Sequence, residues 1–297
     1  MLRLKIKVFT IIISIFIALG MPCNSIGQTA IPYSNNFSNE NASTWTGTGW
    51  KYDIDGWEDI GKLQYLILNT DSAYILSGTK SMGEITDIAF DESEGRVSIY
   101  PTTEVNEVYI RFYVYHKFPF YHPAAYKTWR AGAYNGSLFN GFQAMGTIRG
   151  DGSGNYYTIR IEANGGTHYL DWGSLSSTIT GNYADDGWIY IETYIKLNTV
   201  YAAPYDGQIK MWVARHGQPV SYGSPTATKD NVGIVDEAGH LMNYFHLGGN
   251  YSNGGVAPPY VSTRYFDALT ISTSWIGPIN SGSTLNGVTM MQGMTFR

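Results

Sequence analysis

The 297-residue sequence predicts an all-β fold, an antiparallel two-sheet sandwich. Three observations predict it. Apolar side chains recur with period two along many short segments. Gly-, Asn- and Asp-rich turns separate those segments. No stretch of useful length carries the helical period. Charged residues are only 14% of the chain and hydrophobic ones 43%, which excludes a coiled coil and a charge-driven disordered chain and leaves ample material for a core. The net charge is −5 and no basic run follows residue 10, so a nucleic-acid footprint is not expected.

Residues 1–27 read as a secretory signal peptide. Arg3, Lys5 and Lys7 open it, an apolar run from Val8 to Leu19 follows, and Ser25 and Gly27 are small residues suited to cleavage after Gly27. The apolar run is short for a membrane span and no stop-transfer cluster follows it. Cleavage makes the mature chain more acidic and removes Cys23, the single cysteine, so no disulfide or thiolate site remains. Lipidation of Cys23 is the alternative; Gly20-Met21-Pro22 matches that pattern poorly. The expected location is secreted, periplasmic or extracellular. Asn36, Asn41, Asn135 and Asn250 each start an Asn-x-Ser sequon.

The mature chain, 28–279, reads as one domain, with 280–297 as a polar tail or edge strand. Strands are expected at 64–68, 73–76 and 96–100. In 107–115, Val108, Ile110, Phe112 and Val114 share one face, and Tyr109, Arg111, Tyr113 and Tyr115 the other. In 156–162, Tyr157, Ile159 and Ile161 oppose Tyr156, Thr158, Arg160 and Glu162. In 188–196, Ile189, Ile191 and Ile195 oppose Trp188, Tyr190, Glu192 and Tyr194. In 208–213, Ile209, Met211 and Val213 oppose Gln208, Lys210 and Trp212. Strands at 243–248 and 265–272 complete the set. Asp151-Gly152, Asn164-Gly165, Asp185-Asp186-Gly187, Asp206-Gly207 and Asn253-Gly254 supply turns.

The second face of several strands is unusual: Tyr, Trp, Arg and Glu stand where a solvent face carries Lys, Glu and Thr. Aliphatic faces meet inside a sandwich. An aromatic, hydrogen-bonding face suits sugars, whose C–H faces stack on rings while hydroxyls take bonds from Arg, Glu and Tyr. Tyr113, Tyr115, Tyr190, Glu192, Tyr194 and Trp212 are therefore the expected ligand-binding residues. The competing reading is that tyrosines simply favour strands and cover a solvent face.

The string Trp188-Ile-Tyr-Ile-Glu192-Thr-Tyr-Ile-Lys-Leu-Asn198-Thr199, followed by Asp206-Gly-Gln-Ile-Lys-Met-Trp212, resembles a strand pair of concanavalin A-like jelly rolls. Tyr265-Phe-Asp267 through Gly277-Pro278 resembles their closing strand, and Phe37-Ser-Asn-Glu40 near Trp45 their first. The resemblance runs over about 35–278. It implies two curved antiparallel sheets with a glycan across the concave one. The superfamily includes lectin-like modules, glucanases and polysaccharide lyases, and the fold does not choose among them. It also implies a structural calcium ion between Glu40 and Asp267; Asp53, Asp55, Glu58 and Asp59 are a second cluster of hard oxygens.

Each chemistry asks for its own residues. The jelly-roll glucanase string Glu-x-Asp-x-x-Glu is absent, so paired-carboxylate hydrolysis is not favoured. Nucleophile-elbow, phosphate-loop and transition-metal patterns are absent too. A lyase needs a base for the proton beside a uronate carboxylate and cations to neutralise that carboxylate. Segment 111–135 is rich in such groups, and Trp129-Arg130-Ala-Gly-Ala-Tyr134-Asn135 resembles a strand of jelly-roll alginate lyases, with arginine in place of lysine and without the Gln-Ile-His partner motif. For a lyase the expected catalytic set is His116 or Tyr113 as base, with Arg111 or Arg130 as neutraliser. Three functions follow: a polysaccharide- or cell-surface-glycan-binding protein, a polysaccharide lyase, or a non-catalytic matrix protein.

Overall fold

In the computed structural model, the described residues are 30–46, 51–54, 57–61, 63–86, 95–101, 103–117, 125–134, 139–150, 155–163, 175–178, 187–249, 251–252 and 261–279. The expected signal peptide, the turn carrying Asp55, the sequons Asn135 and Asn250, and the tail 280–297 lie outside them.

The strands are β1 (Tyr33–Asn35), β2 (Lys51–Ile54), β3 (Trp57–Gly61), β4 (Leu66–Asn69), β5 (Ser81–Thr86), β6 (Arg96–Ile99), β7 (Glu107–Lys117), β8 (Ala125–Tyr134), β9 (Phe139–Gly150), β10 (Asn155–Ala163), β11 (Leu175–Thr178), β12 (Ile189–Lys196), β13 (Gly207–Arg215), β14 (Ala227–Val232), β15 (Tyr244–Gly248), β16 (Tyr251–Ser252) and β17 (Ser262–Ser272). The strand expected at 73–76 is instead a 3-10 turn, Ser72–Tyr74, because the Asp71 side chain accepts the Ala73 N–H at 3.0 Å and caps it. Among the described residues no helix is long and apolar enough to cross a membrane.

The strands form two antiparallel sheets. An eight-stranded sheet runs β14-β13-β12-β7-β17-β5-β4, with β1 added on β17. A nine-stranded sheet runs β11-β10-β9-β8-β15-β6-β3-β2, with β16 on β8. About half of the neighbours are consecutive in sequence, and crossovers place the rest: β7 sits between β12 and β17, and β15 between β8 and β6. The sheets pack through their aliphatic faces. Val108, Ile110, Phe112 and Val114 of β7 and Ile189, Ile191 and Ile195 of β12 meet Trp129 and Ala131 of β8, Phe245 and Leu247 of β15, and Val97 and Ile99 of β6. Each large apolar side chain buried there contributes about 1.5–3 kcal/mol.

Two bulges re-aim side chains. In β17 the register on β7 shifts between Asp267 and Thr270, with Ala268 at φ 53°. The core residues accordingly fall at Phe266, Leu269 and Ile271, three apart and then two. In β8, Lys127 pairs with Thr147 and Trp129 with Gly146, so Thr128 is the extra residue. That bulge puts Lys127 on the face opposite to Trp129, turned away from the core.

Candidate functional site

The expected sugar-binding residues do share a face, the outer side of the eight-stranded sheet. Glu192 lies between Arg111 of β7 and Trp212 of β13, Tyr190 pairs with Tyr113, and Tyr194 with Tyr109. The face is not an open hollow, which corrects the expectation for most of that set. The segment after β17 folds back over it. The Glu192 carboxylate accepts the N–H groups of Ile276 and Gly277, both at 2.9 Å, and the Tyr190 hydroxyl. The Tyr113 hydroxyl accepts the Ile279 N–H at 2.8 Å. Arg111 donates to the carbonyl of Gly277 at 3.1 Å and to the Thr270 hydroxyl at 2.6 Å. Tyr113, Tyr190, Tyr194 and Trp212 are buried in one cluster with Val220, Trp275, Ile276 and Ile279 packed against it, and half-buried Tyr115 sits edge-on to Trp188 and Tyr74. The physical reason is the apolar content of the face: so many rings are covered by chain rather than left to water. Burial then pushes the Glu192 carboxyl and the Tyr113 and Tyr190 phenols up, and the Arg111 guanidinium down.

The expected lyase set does not converge either. His116 continues the core-facing series of Val108 to Val114, so its side is opposite to that of Arg111 and Tyr113; it is fully buried, in register with Arg264. Arg130 belongs to the other sheet.

Calcium also fails to fit at Asp267. Its Oδ2 accepts the N–H groups of Leu76 at 2.9 Å and Ser77 at 2.8 Å, and its Oδ1 that of Ala268 at 2.6 Å. Three positive dipoles already point at this carboxylate, where a cation would need oxygen ligands. Glu40 takes the Asn35 amide at 2.7 Å. No group of three or more His, Cys, Asp or Glu suited to a metal occurs among the described residues. The side chains of Asp53, Glu58 and Asp59 lie outside the description.

A chemically distinctive cluster lies on the nine-stranded sheet, on the face turned from the core. In β15, Phe245 and Leu247 enter the core, which turns Tyr244 and His246 the other way. His246 is flanked in register by Ser98 of β6 and Arg130 of β8, and Tyr244 by Gly132. Gly248, at φ 88°, closes the strand against β6, where a Cβ would fall 2.4 Å from the Gly95 carbonyl oxygen. The Tyr244 hydroxyl and His246 Nδ1 are 2.5 Å apart, with the rings edge to face at 84°. His246 Nε2 has no hydrogen-bond partner, although the residue is only 4% exposed. Burial, and then the positive charges of Arg130, Arg96 and Lys127, hold the imidazole well below the usual histidine range. The result is a neutral imidazole, coupled to a phenol, among three cations. Such a cluster sets a proton acceptor and a proton donor side by side.

Of this cluster the sequence reading named Arg130 as a neutraliser and Lys127 within its basic segment. It missed Arg96, Tyr244 and His246. The available signal was the alternation in 243–248, which puts a histidine and a tyrosine together on the non-aliphatic face.

No protein-family model matches the chain, and no curated protein matches it by sequence. Solved structures do match its fold. Alginate lyase Aly36B, in a mutant form with alginate trisaccharide, is 15% identical with a TM-score of 0.56, covering 83% of this chain and 100% of that one. The PL-14 alginate lyase of the marine Aplysia kurodai is 14% identical at 0.57, covering 83% and 100%. Alginate lyase vAL-1 from Chlorella virus is 14% identical at 0.50, covering 81% and 100%. With two packed antiparallel sheets matched along most of its length, this protein has the concanavalin A-like jelly-roll fold.

Proposed function

We propose that this is an exported polysaccharide lyase that cleaves a uronate-containing glycan by β-elimination on the nine-stranded sheet. The carrying observation is the His246–Tyr244 pair among Arg130, Arg96 and Lys127. The cations neutralise the substrate carboxylate and so acidify the adjacent C5–H. Tyr244 and His246 are buried, so substrate reaches them only where the cover over this face opens. In the tautomer whose Nδ1–H donates to the Tyr244 oxygen, His246 Nε2 then carries a lone pair and takes the C5 proton. The electron pair forms the C4–C5 double bond, the C4–O4 bond breaks, and the Tyr244 hydroxyl supplies the proton to O4. The low basicity of His246 keeps it neutral, hence competent as a base, at neutral pH. The fold shared with alginate lyases supports the reading without carrying it.

The test is incubation with alginate, pectate, glucuronan and glycosaminoglycans while following the absorbance of the unsaturated product. Product is expected from at least one polymer, and His246→Asn should lose about 100-fold or more in rate. Arg130→Met removes a like charge near His246, raises its pKa and should move the acid limb of kcat/KM to higher pH. Retention of a uronate polymer without product would reduce the protein to a binding module. Neither retention nor product would end the proposal.

A further inference from the structure

We infer that the outer edge of the eight-stranded sheet carries a second glycan site, a stacking platform for an uncharged pyranose, centred on Tyr222 and the cavity beside it. Tyr222 lies in the turn between β13 and β14 and is 51% exposed. Its ring nonetheless meets rings of two other elements. It lies nearly parallel to Trp212 of β13, at 17° and 6.3 Å between centroids. Trp275, in the segment after β17, meets it at 5.7 Å. A ring that is held in place and half open to water has already lost the freedom that binding would otherwise take from it.

A cavity of about 220 Å³ at Ser221, the residue before Tyr222, is lined by Trp212, Pro219 and Val220 together with Ser221, Ser224 and Thr226, the last with its hydroxyl bonded to the Val213 backbone. Trp212 spends its Nε1–H on the Ser221 carbonyl at 3.0 Å, which leaves its ring as an apolar wall. Rings and aliphatic groups beside hydroxyls are the chemistry of a sugar, apolar on its C–H faces and polar at its edge. No lining side chain is ionisable, so nothing there answers a carboxylate. This sets the site apart from the cationic cluster on the other sheet and assigns it to neutral sugar units. The rings buried under the segment after β17 act as its foundation: the sequence places aromatics along the strands, and they hold Tyr222 from below.

The experiment is affinity electrophoresis of the whole chain in gels containing a neutral β-1,3-glucan, β-1,4-glucan, mannan or galactan. At least one should retard the wild type. Tyr222→Ala should weaken that retention about fivefold to tenfold, the worth of one stacked ring. Where the thermal midpoint shows that Tyr222→Ala has disturbed the fold, Ser224→Trp, which fills the cavity from its rim, takes its place with the same expected loss. His246→Asn should be retarded as the wild type is, so this outcome is separate from that of the lyase test. No retardation of the wild type by any neutral polymer, or equal retardation of the Tyr222 and Ser224 variants, overturns the proposal.

Discussion

Asp267 holds three backbone N–H groups, and burial still pushes its carboxyl up to about 7. In the unfolded chain an aspartate titrates at about 3.9. Between those values the folded state keeps a proton that the unfolded state has released. The resulting stabilisation is complete below about pH 4 and is lost as pH rises through about 7, with a limiting slope of about 1.4 kcal/mol per pH unit. Urea midpoints of the wild type should therefore fall between about pH 5 and about pH 8. Asp267→Asn should flatten the curve without levelling it, because burial raises the Glu192 carboxyl as well. A wild-type midpoint that rises over this range would contradict the assignment. At the same scale, Asn198 shows what a motif residue does. Its Oδ1 accepts the Ile234 and Val235 N–H groups, and its Nδ2 donates to the Val200 and Val235 carbonyls. Asp206, lowered to about 2 by the Thr199 hydroxyl and the Val200 N–H, closes the same loop. The Asn198–Asp206 string reports a folded loop, which explains why it is legible as fold and silent about activity.

Strands β7, β12 and β13 were legible because each carries an alternation whose aliphatic half reaches the core, and β17 was legible as a strand although its bulge breaks the alternation. The segment after β17 was not, since 273–279 has no period and nothing in its composition says which surface it covers. That surface is specified by Arg111 and Tyr113 of β7 and Glu192 of β12, two strands distant in sequence and brought together by sheet pairing. The role of these groups is testable at the level of the segment. Glu192→Ala leaves the Ile276 and Gly277 N–H groups and the Tyr190 hydroxyl without their acceptor, at a cost of about 2–3 kcal/mol. Amide exchange at Ile276 and Gly277 should accelerate more than exchange in β12 itself. A uniform acceleration would mean that the segment and the sheet open together and that Glu192 is no local fastener. The cationic cluster stayed hidden for a related reason: Arg96, Lys127, Arg130 and His246 come from three strands, and the β8 bulge that turns Lys127 outward has no sequence signature.

Across the whole molecule, the two sheets are joined by more than apolar packing. Arg264 of β17 donates Nε at 2.9 Å and a terminal nitrogen at 2.7 Å to one oxygen of Glu84 of β5. The same terminal nitrogen reaches the carbonyls of Lys127 in β8 and Gly249 just beyond β15. Both charged side chains are fully buried, and the guanidinium lies 4.9 Å above the Phe266 ring. One arginine thus ties a strand pair of the eight-stranded sheet to the backbone of the residue that bears a cation of the proposed active site. Removing one member of such a pair strands the other charge in the interior. Arg264→Met should cost about 3–5 kcal/mol in denaturant unfolding, while the double change Glu84→Leu with Arg264→Met should recover a large part of it. The two outcomes separate stability from placement. If the double variant regains stability yet keeps a depressed kcat on the uronate polymer, the arginine positions Lys127 and the strand end beside His246. Full recovery of both would make the pair a dispensable joint, and a loss below about 1 kcal/mol in Arg264→Met would show that the buried pair is not holding the sheets together.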